Sequence, residues 1–167
     1  LKSGDFREDS GIYFSIGKFT ALFDVDSNMI NFNKIPHIDL YASSFAGGAS
    51  GYPLCFENYS DKEKKEIIIK NKNFLKKKKI KTIIENKIKY FLPYAGFFQE
   101  KLDRDKKIYE YNKKNFIKDF ELIFYNKNIN FLNVEKFDEF YFKSKKLIKS
   151  DINHILNVFL GLSVVSS

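Results

Sequence analysis

Residues 11–27, GIYFSIGKFTALFDVDS, place apolar side chains at every second position on both sides of Gly17-Lys18. Ile12, Phe14 and Ile16 share one face of the first run; Phe19, Ala21, Phe23 and Val25 share one face of the second. A period of two around a two-residue turn means two antiparallel strands. Such a pair is not stable alone, because its apolar face needs a cover. The rest of the chain supplies one. HIDLYASS reads as a third strand over 38–43, with Ile38, Leu40 and Ala42 alternating. SDKE, from Ser60 to Glu63, is a capping box that opens a helix running to about Ile84. IKYFLPYAGFF is a fourth strand broken at Pro93 and Gly96. Phe116, Ile117, Phe120 and Ile123 have helical spacing within 114–126, INFLNV is a short strand over 129–134, and a last helix is expected over about 145–160. This order of elements makes the chain α/β, a mixed sheet with flanking helices.

With 167 residues, 44% hydrophobic and 17% aromatic, the chain has the size and the apolar content of one domain with a real core. The formal charge of +8 would suit an anionic partner, but Lys supplies nearly all of the positive charge, alongside abundant Asn, Ile and Phe. Arg, whose planar fork reads phosphates and bases, occurs only as Arg7 and Arg104. No nucleic-acid partner is expected, and the Lys76–Lys79 run reads as a solvated helix face. The single cysteine, Cys55, excludes an internal disulfide and a cysteine-cluster metal site, reads as a small buried hydrophobe, and fits a reduced cytoplasmic setting. The apolar tail from Ile152 to Val165 falls short of the ~20 residues of a membrane span, so no membrane partner is expected either. The chain opens on Leu1 and ends in an apolar run, which reads as a piece of a longer protein.

In α/β sheets, ligands gather at the loops beyond strand ends. Two such places carry unusual residues: the carboxylates Asp24 and Asp26 after the second strand, and the small-residue loop FAGGASGYP, Phe45 to Pro53, after the third. The plain alternatives are that the two aspartates end a strand and start a turn, and that the small residues let the chain pass beneath the helix opened by Ser60. His37 reads as a strand-entry residue, Asp39 as a backbone partner at the sheet's end, and His154 as an ordinary helix residue.

FAGGASGYP resembles the signature loop of the CMP-N-acetylneuraminate hydroxylases. DSGIYFSIGKFTALFDVDS, PYAGFFQE (93–100) and DKKIYEYNKKN (105–115) are similar to further segments of that family, so the resemblance covers about Asp9 to Phe137. It departs at Ser44, where the family pattern puts an acidic residue before the Phe-Ala-Gly-Gly run. The resemblance implies a metallo-β-lactamase fold, here a partial αββα sandwich. Residues 1–140 would be the C-terminal half of that domain and 141–167 a helical C-terminal extension.

The resemblance also implies a chemistry. The fold's late aspartate ligand falls on Asp26, a hard oxygen donor suited to iron or zinc. The fold's final histidine ligand would fall on Ala95, which binds no metal; this argues against a two-metal hydrolase. A Rieske 2Fe-2S centre and an electron carrier, which the family uses to hydroxylate the N-acetyl group of CMP-sialic acid, would belong to an upstream region. The fragment alone is then expected to be inactive. Gly47, Gly48 and Gly51 let backbone N–H groups approach a carboxylate or phosphate, both present on a nucleotide sugar; Ser50 and Tyr52 add hydroxyls, and Tyr94 and Glu100 border the neighbouring strand-end loop. No Gly-Lys-Ser/Thr follows, so this is not a P-loop. The alternatives are a metallo-β-lactamase-fold hydrolase acting on a phosphorylated or sugar substrate, and a metal-free binding protein.

Overall fold

The computed structural model describes residues 1, 9–24, 27, 29–47, 52–95, 102–103, 106–111, 114–125, 127–132, 140–143 and 146–149. β1 (Ile12–Ile16) and β2 (Phe19–Phe23) form the expected hairpin, with Ile16 opposite Phe19. Gly17 stands at φ +59, the left-handed conformation that a two-residue turn with glycine first requires. β3 (Leu40–Ser43), β4 (Tyr90–Pro93) and β5 (Asn130–Phe131) extend the sheet in the order β1-β2-β3-β4-β5, each parallel to the strand before it from β2 onward.

Parallel neighbours need crossovers, and the helices provide two of them. α1 (Asp61–Glu85) links β3 to β4, while α2 (Lys106–Tyr111) and α3 (Lys118–Tyr125) link β4 to β5. α1 begins where the capping box places it. The Ser60 backbone N–H donates to Glu63 Oε2 at 2.8 Å, and the Glu63 N–H donates to Ser60 Oγ at 3.3 Å. It ends at Glu85 with Asn86 as its cap; Lys87, just beyond the cap, takes φ +52, and the Ile88 N–H returns to the Ile83 carbonyl at 3.1 Å.

Register aligns one face of the sheet. Leu22, Tyr41, Phe91 and Phe131 are lateral partners across β2 to β5. Ile83 of α1 and Phe120 and Phe124 of α3 pack on them to form the main core. Phe91 sits at its centre, with ring centroids 6.1 Å from Phe120, 5.6 Å from Phe124 and 5.8 Å from Phe131. On the other face, Phe19, Ala21, Leu40, Tyr90 and Leu132 form a second cluster, with Phe14, Phe23 and Leu92 against it.

The α/β reading, with a mixed sheet and flanking helices, therefore holds. Three local expectations change. α2 and a short 3-10 turn at Phe32–Lys34 were not read from the sequence. The helix expected over 145–160 meets a strand: β6 (Phe140–Lys143) and β7 (Lys146–Lys149) pair antiparallel as a separate two-stranded sheet. A four-residue stretch such as Lys146–Lys149 does not distinguish the two periods. Residues 150–160, including His154, lie outside the described residues. Cys55 is exposed rather than buried, because it belongs to the turn before α1 and not to the core.

Candidate functional site

β2, β3 and β4 run parallel, so their carboxyl ends share one edge of the sheet. The ladder continues one step past the strands: the Asp24 N–H donates to the Ala42 carbonyl at 3.1 Å, and the Tyr94 N–H to the Ser43 carbonyl at 3.0 Å. This carries Asp24 into the interior, where it is 2% exposed.

A buried carboxylate needs partners. The Tyr41 hydroxyl donates to Asp24 Oδ2 at 2.5 Å, and Lys79 Nζ lies 3.6 Å from Oδ1. Lys79, only 4% exposed, also donates to the Tyr41 hydroxyl at 3.0 Å and to Ser43 Oγ. Its ammonium lies 5.2 Å from the centroid of the Tyr41 ring. Asp24 Oδ1 and the buried Ser27 Oγ have no hydrogen-bond partner. Burial pushes the Asp24 carboxyl above its ordinary value, against the pull of the Lys79 charge and the Ser43 and Tyr41 hydrogen bonds. Burial likewise lowers the Lys79 ammonium, and the Asp24 charge opposes that shift. The same desolvation raises the Tyr41 phenol well above its usual value. The cluster borders a cleft of about 210 Å³, whose other walls are Met29, Ile30 and Phe32 on one side and Lys78 and Thr82 on the other.

Lys79 corrects the sequence reading of a solvated Lys76–Lys79 face. The residue shares the inward side of α1 with Ile68 and Ile83, which packing on the sheet selects. It is the functional-type residue that sequence reasoning missed, and a lysine within a lysine run gives no signal by which to single it out.

The small-residue loop leaves β3 at the same edge. Phe45 and Ala46 are buried, and Gly47 adopts φ +71, with an added Cβ falling 3.1 Å from Leu75 Cδ2 of α1. Gly47 thus serves the passage of the chain beside α1, one helical turn before Lys79. Asn115, at the end of the DKKIYEYNKKN segment, holds this passage. Its backbone N–H donates to the Ala46 carbonyl at 2.9 Å, and its Nδ2 donates to the carbonyls of Phe45 at 3.2 Å and Lys72 at 3.1 Å. Two segments that carried the family resemblance are therefore in contact.

Gly48, Ser50, Gly51, Asp26 and Glu100 lie outside the described residues. Tyr52 is exposed, its ring edge-on to Phe56 at 5.3 Å and Tyr59 at 6.3 Å. Tyr94 is exposed at the strand-end edge, 6.2 Å from Phe23 in an edge-on contact. Ala95, the position the resemblance aligns with a histidine ligand, takes φ +62. Asp39 is at the opposite edge of the sheet, as a strand-start pin. It accepts from the Thr20 N–H at 3.0 Å, from Lys89 Nζ at 3.1 Å, and pairs with His37 Nε2 at 3.0 Å.

Among the described residues, no group of three His, Cys, Asp or Glu side chains could hold a metal ion. The strand-end carboxylate they do contain, Asp24, faces an ammonium group. Among the described residues, no helix is long and apolar enough to cross a membrane.

Comparison with known proteins supplies relatives. The chain is 35% identical over 94 residues to the cytidine monophosphate-N-acetylneuraminic acid hydroxylase of Danio rerio and 34% identical over 94 residues to that of Xenopus laevis. It is 33% identical over 94 residues to the inactive cytidine monophosphate-N-acetylneuraminic acid hydroxylase of Homo sapiens. The match takes in 54% of this chain and only 16% of the fish and frog proteins, or 19% of the human one. No family model matches the chain, and no solved structure matches it. The resemblance read from the motifs is thus matched by relatives bearing that name, over part of the chain.

Proposed function

We propose that this chain is part of a CMP-N-acetylneuraminate hydroxylase-like protein and supplies the C-terminal half of a metallo-β-lactamase-like domain facing a nucleotide sugar. The observation that carries the reading is the joining of the family-like segments at the strand-end edge, where Asn115 ties the small-residue loop to α1. An edge of this kind is where α/β sheets bind ligands. In this reading the backbone amides of Gly47, Gly48 and Gly51, with Ser50, take the phosphate or carboxylate of a CMP-sugar, and Tyr52 and Tyr94 border it. Hydroxylation of the N-acetyl group would belong to the complete protein, with an iron–sulfur centre and electron carrier outside these residues. The chain by itself would bind but not oxidise.

A metal-free binding protein is the second reading, favoured by the Lys79–Asp24 pair. A metallo-β-lactamase-fold hydrolase fits less well, because Ala95 offers no donor for a two-metal clamp.

Calorimetric titration of the chain with CMP tests the proposal. Gly48→Val should weaken CMP binding at least ~10-fold while leaving the urea midpoint nearly unchanged, since a side chain there blocks close backbone approach. Unchanged CMP affinity in a folded Gly48→Val variant, or no CMP binding by the parent chain, refutes it.

A further inference from the structure

Asp24 and Lys79 are both almost wholly removed from water, at 2% and 4% exposure. Neither charge persists there without the other, because an unpaired ion in the interior loses its hydration with no return. Their remaining bonding capacity shows how the pair is arranged. An ammonium has three donors. Lys79 directs its donors at the Tyr41 hydroxyl and Ser43 Oγ, with Asp24 Oδ1 beside them at 3.6 Å. Asp24 Oδ2 is taken by the Tyr41 hydroxyl, and Oδ1, with no hydrogen-bond partner among the described residues, has the Lys79 ammonium at 3.6 Å.

Oδ1 is the oxygen a metal ion would need. A zinc or iron ion bound to a carboxylate lies ~2.0–2.2 Å from its oxygen. At Asp24 Oδ1 such an ion would share the oxygen with the Lys79 ammonium, 3.6 Å away, and Lys78 lines the same cleft. Two ammonium groups and one carboxylate are a poor setting for a divalent cation in a low dielectric. We infer that the Lys79 ammonium is the resident cation of this strand-end carboxylate, balancing the charge that a metal ion would otherwise balance, so that Asp24 binds no divalent ion. The inference does not depend on the nucleotide-sugar reading, and its test uses no nucleotide.

The test uses the 167-residue chain, equilibrated with zinc or iron(II) and then desalted. Elemental analysis and urea unfolding are read for the parent chain, Asp24→Asn, Lys79→Met and the double variant. The parent should carry no stoichiometric metal on Asp24 and unfold identically with and without chelator. Lys79→Met should lower the urea midpoint by roughly 2 M, since it strands a buried carboxylate, and added zinc should return part of that loss. The double variant should recover most of the midpoint and ignore zinc. About one metal ion per parent chain, removed by Asp24→Asn, overturns the inference. So does a Lys79→Met midpoint equal to the parent's, or a double variant no more stable than Lys79→Met. Metal that survives Asp24→Asn sits on other residues and agrees with the inference. If Lys79→Met does not fold, the double variant decides: a folded double supports the pairing, and an unfolded one overturns it.

Discussion

Asn115 gives a prediction that separates donors from shape. The residue is 2% exposed, and its Nδ2 spends both hydrogens on the carbonyls of Phe45 and Lys72. Its Oδ1 is buried without a hydrogen-bond partner. Replacement by Ala loses two hydrogen bonds of about 1 kcal/mol each, but it also removes the stranded oxygen, whose burial costs about 1–3 kcal/mol. The net loss should be small, about 1–2 kcal/mol once the lost packing is included. Replacement by Asp keeps the shape and sets oxygens against the two carbonyls. At neutral pH it buries an unpaired charge, for a loss of about 3 kcal/mol or more. The order of stability should therefore be parent, then Asn115→Ala, then Asn115→Asp, although aspartate is the closer match in size. Urea unfolding at pH 7 measures the order. Lowering the pH should narrow the gap for the Asp variant alone, because a protonated carboxyl regains one donor. An Asp variant as stable as the Ala variant at pH 7, or a gap insensitive to acid, refutes the assignment of Asn115 as a donor clamp.

Two other outcomes follow from the same reasoning. Asp39 is buried, which raises a carboxyl, but hydrogen bonds from His37, Lys89 and Thr20 outweigh that and hold it below its ordinary 3.8. A depressed carboxyl adds stability above the unfolded value and loses it as the pH falls through the folded one. The parent's urea midpoint should therefore fall below about pH 4, and Asp39→Asn should be the less stable protein at pH 7 with the difference closing in acid. A difference that persists at pH 2 contradicts this. At Gly47, with φ +71 and Leu75 Cδ2 only 3.1 Å from an added Cβ, Gly47→Ala should lose about 1–2 kcal/mol. Adding Leu75→Ala should not restore it, because the backbone conformation carries most of the loss; full recovery in the double variant would place the loss in the contact instead.

The elements most legible beforehand were those written in adjacent residues. The hairpin around Gly17 pairs strands that adjoin in sequence across a two-residue turn, the start of α1 depends on contacts between Ser60 and Glu63, and both stand where expected. The small-residue loop was legible as unusual, though the structure shows only Gly47 of its glycines, and there the need is for a bend beside α1. At Lys146–Lys149 the expected helix gives way to a strand, because a run of four residues is too short to declare its period. The choice of Asp26 over Asp24 came from a resemblance; Asp26 lies outside the described residues, and Asp24 is buried with partners.

Sequence alone determined the α/β class, the hairpin and the capped start of the long helix, because local spacing and local hydrogen bonds decide these. Only the tertiary structure decided which lysine of four enters the core and which asparagine holds the loop. α1 carries apolar residues on several sides, Ile67 to Ile69 and Ile83 to Ile84 among them, so its sequence leaves the inward face open. Packing against Leu22, Tyr41 and Phe91 settles that face, and with it the meeting of Lys79 and Asp24 from 55 residues apart in sequence.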